Sequence, residues 1–262
     1  MELPIQLIST DFDGTLHSEF ERPPVPVSLQ ELIGSLQAAG VLWAINTGRD
    51  YGSLREGLDA ARLSITPDYL VLVEREIYVR EGRYFSAHTV WNDRCLTDHQ
   101  ALFERVRPDV PRLAAWVRAR FDAELYADDW SPFCYAARNP TDAERIHVYL
   151  DDYCREVPEL RVVRNDVYAR FCHAHYNKGT ALAEIARHAG IPTDRVFAAG
   201  DHLNDLPMLS KEYARWLCAP ANAVPEVKEL VWSQDGFVSP LPCGMGVESA
   251  LRLLLGRPAK RG

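Results

Sequence analysis

Apolar positions follow two patterns along the first part of the chain, one typical of buried strands and one typical of amphipathic helices. Three short apolar runs have the pattern of buried strands: Ile5 to Thr10, Val41 to Asn46 and Tyr69 to Val73. Between the first two runs, apolar residues recur at helical spacing from Leu29 to Leu36, and the pattern ends at Gly40. Strands that alternate with helices predict a parallel sheet with right-handed crossovers.

The same alternation returns near the end of the chain. Lys178 precedes a predicted amphipathic helix that ends at Gly190, and an apolar run from Val196 to Asp201 predicts the next strand. A further strand is predicted from Trp216 and a short helix from Pro225.

The middle of the chain has a different pattern. A long amphipathic helix, interrupted near Pro108 and Pro111, is predicted over Asp98 to Asp122. It is followed later by two strands joined by a hairpin turn at Asn165-Asp166. We therefore predict an α/β protein, with a Rossmann-like parallel sheet core and an inserted α+β domain. The predicted domains are a core of residues 1–76 and 176–262 and an inserted domain of residues 77–175.

Composition narrows the possible partners. The chain has 262 residues, of which 47% are hydrophobic and 25% charged, as in globular proteins with a sizeable core. Its net charge is −8, so the chain lacks the overall positive field with which proteins attract nucleic acid or an anionic membrane. We expect neither partner, and we expect a monomer or a small homo-oligomer.

Cysteine usage and hydropathy indicate the compartment. The six cysteines are scattered without a CxxC pair, which is typical of reduced thiols. No apolar run is long enough to span a membrane, and the first residues lack the basic segment of a signal peptide. We therefore expect a cytoplasmic protein, with a disordered tail that starts at Gly256.

Polar residues with a common chemistry accompany four of the predicted elements. They are Asp11 and Asp13, then Thr47 and Gly48, then Lys178, and finally Asp201, Asn204 and Asp205. Ligands of open parallel sheets bind outside the carboxyl ends of the strands, so we expect these residues to meet. Each segment alone has a simpler interpretation as a turn or a helix cap.

Taken together, these residues predict metal-assisted phosphoryl transfer to an aspartate. Asp11 and Asp13 are two residues apart and point to the same side, so one can attack while the other handles a proton. A carboxylate cluster without His or Cys favours Mg²⁺. The donors available to a phosphoryl group are Lys178, the Thr47 hydroxyl and the backbone N–H groups of Gly14 and Gly48.

With these motifs in the order DFDGTL, Thr, Lys and GDxxND, the sequence resembles the haloacid dehalogenase superfamily. The segments NKGTAL around Lys178 and GDHLNDLPML are similar to the subgroup that contains the Cof-type and sucrose-phosphate-phosphatase-like enzymes. The stretch from Ala219 to Leu230 continues the likeness. The resemblance covers nearly the whole core but only the topology of the inserted domain, which would be a C2-type cap.

The resemblance implies a role for each motif residue. The catalytic residues would be Asp11 as nucleophile, Asp13 as general acid and then base, Thr47 as phosphate ligand and Lys178 as the cation between nucleophile and phosphate. Mg²⁺ would be held by the carboxylates of Asp11 and Asp201 and the backbone carbonyl of Asp13, with Asn204 and Asp205 positioning it.

The chain departs from the family after the third predicted strand. Many relatives have Asn-Gly-Ala there, whereas this chain has Val73-Glu74-Arg75-Glu76, so the family's contacts do not transfer. Arg75 is a candidate for binding a second anionic group, with a salt bridge to a neighbouring glutamate as the alternative. Because the core motifs hold phosphoryl group and metal, we expect the cap to supply specificity. Its candidate donors and acceptors are Arg138, Asn165, Tyr168, Arg170, His173 and Tyr176.

These expectations describe a Mg²⁺-dependent phosphatase that hydrolyses a small phosphorylated metabolite through a phosphoaspartyl intermediate. That the metabolite is a sugar or polyol phosphate is implied by the resemblance alone. A phosphomutase, which would return the phosphoryl group to the sugar, is one alternative. The other is a non-catalytic metabolite-binding protein of the same fold, although the complete set of acid, base, metal and phosphate groups favours an enzyme.

Overall fold

A computed structural model describes residues 3–256 of the chain. The strands are β1 (Leu7–Thr10), β2 (Leu42–Asn46), β3 (Tyr69–Leu72), β4 (Glu76–Glu81), β5 (Tyr84–Ala87), β6 (Ala123–Asp128), β7 (Ser131–Ala137), β8 (Leu160–Asn165), β9 (Tyr168–His173), β10 (Val196–Ala199), β11 (Trp216–Ala219) and β12 (Phe237–Val238). The helices are α1 (Val27–Ala38), α2 (Tyr51–Ala61), α3 (Thr89–Val106), α4 (Val110–Arg118), α5 (Pro140–Glu156), α6 (Lys178–Ala189), α7 (Pro225–Ser233) and α8 (Cys243–Leu255).

The described residues form two compact units. Residues 3–88 and 178–256 make the core unit, and Thr89–Asn177 make the inserted unit. The sequence predicts that the inserted domain begins at residue 77, but β4 pairs with β3, and β5 pairs with β4, in the core sheet. The inserted unit therefore begins only at Thr89, because the hairpin of β4 and β5 extends the core sheet.

The core unit is built on one sheet with the strand order β12-β11-β10-β1-β2-β3-β4-β5. Its strands from β12 to β3 are parallel neighbours, which confirms the predicted parallel sheet, and β4 and β5 add an antiparallel edge. β1 lies between β10 and β2, where the strand order reverses. Ligands of open α/β sheets bind at this kind of position, outside the carboxyl ends of the strands.

Apolar packing explains why the central strands could be located from sequence. Every residue of β1, β3 and β10 is buried, so each strand is a continuous apolar or small-residue run. Trp43 of β2 and Phe197 of β10 belong to the same apolar cluster as Leu29 of α1 and Leu251 of α8. This packing fixes the strand ends and therefore the side chains that follow them.

The inserted unit has an antiparallel sheet of its own, with the order β6-β7-β9-β8. Its separate apolar cluster joins Phe133 of β7 and Phe171 of β9 to residues of α3, α4 and α5, among them Leu113 and Leu150. A core that lies within residues 89–177 gives this unit its own source of stability.

In the inserted unit, one local prediction is confirmed and one differs from the structure. The interruption predicted near Pro108 and Pro111 is present, because α3 and α4 are joined by a 3₁₀ turn at Arg107–Asp109, although α3 already begins at Thr89. Proline breaks a helix in its interior but is tolerated in the first turn of the helix that follows. The hairpin turn is Asp166-Val167, since Asn165 pairs with Tyr168 and Asp166 takes the left-handed φ of 52°.

Two further predictions concern the tail of the chain and membrane-spanning segments. The tail predicted to be disordered lies outside the described residues beyond Gly256. Among the helices of residues 3–256, none is long and apolar enough to cross a bilayer.

Leu150 tests whether the inserted unit depends on its own core. Leu150 is fully buried on α5, whereas Val148 of the same helix is 53% exposed. Leu150→Ala should lower the free energy of unfolding by about 2–5 kcal/mol, because it leaves a cavity among apolar side chains. The matched control Val148→Ala should change it by less than about 0.5 kcal/mol. Urea unfolding followed by circular dichroism measures both, and equal effects would contradict this packing.

Candidate active site

The carboxyl ends of three central strands bring polar side chains to one place. Asp11 follows β1, Thr47 follows β2 and Asp201 comes shortly after β10. Since β1 pairs in parallel with both β2 and β10, these strand ends lie side by side. Lys178, the first residue of α6, adds an ammonium group to them. The motif residues of the core unit are therefore neighbours in space.

The ammonium of Lys178 is buried between two carboxylates. Its Nζ atom donates to Asp11 Oδ1 at 2.7 Å and to Asp205 Oδ1 at 2.6 Å, and the Lys178 side chain is 0% exposed. Burial alone lowers the pKa of Lys178, but the charges of Asp11 and Asp205 outweigh it and raise that pKa above its usual value. Lys178 is therefore a fixed positive charge at neutral pH.

Asp205 is fixed by the loop that follows β10. Its Oδ2 atom accepts the backbone N–H groups of Asp201 at 2.8 Å and of His202 at 2.9 Å. Glycine is required at position 200, because a Cβ atom there would lie 2.4 Å from the Asp205 Cβ. With both oxygens engaged, the Asp205 carboxylate is suited to holding Lys178 and the loop rather than to direct attack on a substrate.

Three carboxylates of the site form an acidic cluster. Asp11, Asp201 and Asp205 each place an oxygen within 4.8 Å of the others. Burial raises the pKa of Asp11, and burial, followed by the charge of Asp205, raises the pKa of Asp201 to about 7. A single ammonium does not balance three carboxylates, so a divalent cation would relieve the cluster. Oxygen donors without His or Cys fit Mg²⁺.

Asn204 gives independent support for a bound cation. Asn204 is 6% exposed, and no donor within residues 3–256 makes a hydrogen bond to its Oδ1 atom. A buried acceptor without a donor costs about 1–3 kcal/mol. Water held by a cation would supply the missing donor, so the residues present fit the metal that the sequence predicts.

Gly14 and Thr15 position the Asp201 carboxylate. Gly14 has a φ of 73°, and a Cβ atom there would lie 2.3 Å from Asp201 Oδ2. The Thr15 hydroxyl donates to Asp201 Oδ1 at 2.6 Å. The glycine of the D-x-D-G segment is therefore needed for the close approach of Asp201, in addition to the N–H donor that the sequence suggested.

Asp13 has a partner that the sequence pattern does not predict. Arg49 donates to it from two nitrogens, Nε to Oδ2 at 2.6 Å and Nη2 to Oδ1 at 2.7 Å. The guanidinium also lies over the Phe12 ring, and its Nη1 atom donates to the Ser53 backbone oxygen at 3.0 Å. Such a paired contact fixes the plane of the carboxylate. Only the position of Arg49, directly after Thr47 and Gly48, could have indicated this role.

Thr47 and Gly48 lie beside a second residue that was missed, Glu74. Thr47 is 1% exposed, and its Oγ1 atom accepts the Arg49 backbone N–H at 3.2 Å, which leaves the hydroxyl proton for an anion. A Cβ atom at position 48 would lie 3.2 Å from Glu74 Oε1. Glu74 Oε1 in turn accepts a hydrogen bond from Asn204 Nδ2 at 2.9 Å. The segment that departs from the family therefore adds a carboxylate to this site.

Four further residues are predicted to bind substrate, one in the core unit and three in the inserted unit. Arg75 is in the core unit and only 4% exposed. In the inserted unit, Arg138 pairs with Asp122 at 2.6 Å, and both side chains are largely exposed. Tyr168 and Arg170 alternate on β9 and therefore share one face of its sheet, where Arg170 lies 3.7 Å from Asp128. Their roles in recognition stay predictions.

Comparison with known proteins agrees with this arrangement. A family model described as haloacid dehalogenase-like hydrolase matches residues 119–232. A Bacillus subtilis (strain 168) protein named "Putative phosphatase YxeH" is 24% identical over 255 residues, which covers 86% of this chain and 90% of the relative.

Solved structures share the fold over almost the full length. The sucrose-phosphatase from Synechocystis sp. PCC6803, in complex with sucrose and phosphate, has a TM-score of 0.72 at 20% identity, covering 97% of this chain and 98% of that protein. The haloacid dehalogenase-like hydrolase yhjK from Bacillus subtilis has a TM-score of 0.65 at 17% identity, covering 98% and 94%. These likenesses show the fold of the chain, and together with the match over residues 119–232 they agree with its resemblance to haloacid dehalogenase-like hydrolases.

Proposed function

We propose that the chain is a Mg²⁺-dependent phosphatase that hydrolyses a small phosphorylated metabolite through a phosphoaspartyl intermediate on Asp11. The observation that carries the proposal is the buried contact of Lys178 with Asp11 and Asp205, next to the pair of Asp13 and Arg49. It supplies a candidate nucleophile, a fixed cation and a second carboxylate within one site.

Asp11 and Asp13 share the chemistry of two half-reactions. In the first, Asp11 Oδ2 attacks phosphorus, the bond from phosphorus to the leaving oxygen breaks, and Asp13 gives that oxygen a proton. In the second, water attacks the phosphorus of the aspartyl phosphate, Asp13 takes its proton, and the bond to Asp11 breaks to release phosphate. Lys178 holds Asp11 Oδ1 and so favours Oδ2 as the attacking atom.

The surrounding residues orient these groups and receive the phosphoryl charge. Arg49 fixes the plane of the Asp13 carboxylate. This orientation matters because Asp13 must reach the leaving oxygen in the first half-reaction and the attacking water in the second. The Thr47 hydroxyl and Lys178 are the proposed donors to the phosphoryl oxygens. Mg²⁺, when bound, supplies electrostatic stabilisation of the transferring group. Its proposed ligands are Asp11, Asp201 and the backbone carbonyl of Asp13, with Asn204 and Asp205 positioning it.

The substrate class is the finer part of the proposal. A sugar or polyol phosphate is supported by the likeness to a sucrose-phosphatase that is described in complex with sucrose and phosphate. Hydroxyl groups are recognised by polar side chains. The proposed donors are Arg138, Tyr168 and Arg170 of the inserted unit and Arg75 of the core unit. The proposal includes a cytoplasmic location, without a nucleic acid or membrane partner, and a monomer or small homo-oligomer.

Asp11→Asn tests the nucleophile. An amide oxygen is too weakly nucleophilic to replace the carboxylate, so phosphate release from the best phosphorylated substrate should fall by several orders of magnitude. The exposed Asp59→Asn on α2 serves as the control and should leave the rate unchanged. Colorimetric phosphate release measures both. A near-normal rate in Asp11→Asn would rule out the covalent mechanism.

Metal removal tests the proposed cofactor. EDTA should abolish phosphate release, and excess Mg²⁺ should restore it. Ca²⁺ should occupy the site but inhibit, because its larger and looser coordination misplaces nucleophile and phosphorus. Activity that persists in EDTA, in protein shown by elemental analysis to hold no metal, would contradict the proposal.

Asp201 gives a pH test that needs no substrate. Its pKa of about 7 in the folded protein lies above the unfolded value of 3.8, so its stabilising contribution is complete below that unfolded value and is lost as pH rises through 7. Between pH 5 and pH 7.5 in EDTA, the free energy of unfolding should fall by roughly 1–3 kcal/mol more in the natural protein than in Asp201→Asn.

Urea unfolding at both pH values measures this difference. Mg²⁺ at pH 7.5 should stabilise the natural protein, because the cation binds the ionised carboxylate, and should stabilise Asp201→Asn much less. An equal pH dependence in the two proteins would show that the Asp201 carboxyl is not perturbed by folding.

A further inference from the structure

The turn between β3 and β4 has a strained backbone. Val73 and Glu74 have φ angles of 44° and 68°, in the left-handed region that favours glycine or asparagine. A β-branched residue such as valine is rarely found there. Tight hairpin turns with two such residues usually carry Asn-Gly. A strained turn persists only where the surroundings hold it, and such turns cluster at functional sites.

Backbone hydrogen bonds attach this turn to the segment that follows β2. The N–H of Val73 donates to the Arg49 oxygen at 3.0 Å, and the N–H of Glu74 donates to the Thr47 oxygen at 2.9 Å. The turn closes on itself through the Arg75 N–H and the Leu72 oxygen, also at 3.0 Å. The position of Glu74 is therefore fixed relative to the candidate active site.

The side chain of Glu74 contacts the loop of residues 201–205, which carries part of the proposed metal site. Its Oε1 atom accepts a hydrogen bond from Asn204 Nδ2 at 2.9 Å, and Gly48 leaves the space in which the two side chains meet. Asn204 directly precedes Asp205 and is nine-tenths buried, with no donor to its Oδ1 atom among the described residues. This contact links the Val73–Glu76 segment to the loop that carries Asp201 and Asp205, two of the three carboxylates of the acidic cluster.

The chemistry of a carboxylate decides how the Asn204 amide is oriented. An ionised glutamate can only accept hydrogen bonds, so the amide must present its NH₂ group to Glu74. The carbonyl oxygen is then left on the other side of the amide as a pure acceptor. An alanine at position 74 would remove this constraint and leave the amide free to rotate.

We propose that Glu74 is a positioning residue, which holds the Asn204 amide with its oxygen available to the metal site. The inference rests on the proposed metal site and adds to it a residue from the segment that departs from the family. Partners that orient a ligand without touching the ion typically change metal affinity or activity by about 10- to 100-fold when removed.

A double-mutant cycle on metal affinity tests the inference. Mn²⁺ binding to the metal-free full-length protein, followed by electron paramagnetic resonance, gives a Kd without any turnover. The variants are Glu74→Ala, Asn204→Ala and the double variant, with thermal unfolding to verify that each is folded. Glu76→Ala is the matched control, since Glu76 is an acidic neighbour whose carboxylate accepts from Tyr78 at 3.2 Å.

We expect Glu74→Ala to weaken Mn²⁺ binding about tenfold in the natural background. In the Asn204→Ala background, the same change should alter the Kd by less than twofold, because there is no amide left to orient. Glu76→Ala should leave the Kd within twofold of the natural protein. An equal loss from Glu74→Ala in both backgrounds would assign the effect to charge alone and overturn the inference, as would no loss in either.

Glu74→Gln provides a second variant if Glu74→Ala does not fold. Glutamine keeps an acceptor oxygen at the same reach but removes the charge, so it should weaken Mn²⁺ binding by less than about tenfold in the natural background and by less than twofold in the Asn204→Ala background. An equal loss from Glu74→Gln in both backgrounds would overturn the inference. If the natural protein itself binds no Mn²⁺, the proposed metal site fails, and this outcome is distinct from the failure of Glu74 alone.

Discussion

The buried ammonium of Lys178 is the interaction on which the rest of the site depends. It lies between Asp11 and Asp205, within hydrogen-bond distance of both, and no part of its side chain is exposed. A charge taken out of water is strongly destabilising unless it is paired, and removing one partner of a buried pair commonly costs about 3–5 kcal/mol. The two aspartates and the lysine therefore require one another, although they come from three distant segments of the chain.

This requirement links the sheet to the chemistry. β1 brings Asp11, the loop after β10 brings Asp205, and α6 starts at Lys178, so the contacts of Lys178 depend on the sheet topology. The remaining negative charge of the cluster is what makes the site suitable for a divalent cation. In the proposed reaction, a phosphoryl group would meet both the Lys178 ammonium and the Asp11 carboxylate in this site.

The sequence predicted the parts of this structure that depend on local pattern. The buried strands β1 and β3 are short apolar runs, and each motif residue of the core directly follows or precedes one element. The S-x-x-E spacing of Ser28 and Glu31 would predict a capping box at the start of α1. No side-chain cap forms there, and the Ser28 hydroxyl instead donates to Glu248, a residue far away in sequence. Side-chain partners of this kind depend on tertiary packing and cannot be read from local spacing.

The same reason explains what was missed at the site. The partners Arg49 for Asp13 and Glu74 for Asn204 join residues more than thirty and more than a hundred positions apart. In the sequence, the Val73-Glu74 turn is visible only as a departure from a family pattern, because neither residue type predicts a left-handed turn. The antiparallel edge of the core sheet was likewise assigned to the inserted domain, because hairpin strands look alike in either unit.

The central claim is that Asp11, held by Lys178, becomes covalently phosphorylated during turnover. The most direct measurement is mass spectrometry of the peptide that contains Asp11, after rapid acid quenching of the full-length protein with Mg²⁺ and a phosphorylated substrate. The account predicts a phosphate adduct on Asp11 that forms and decays at rates consistent with turnover. Phosphate release without any adduct on Asp11, or with the adduct on another residue, would contradict it.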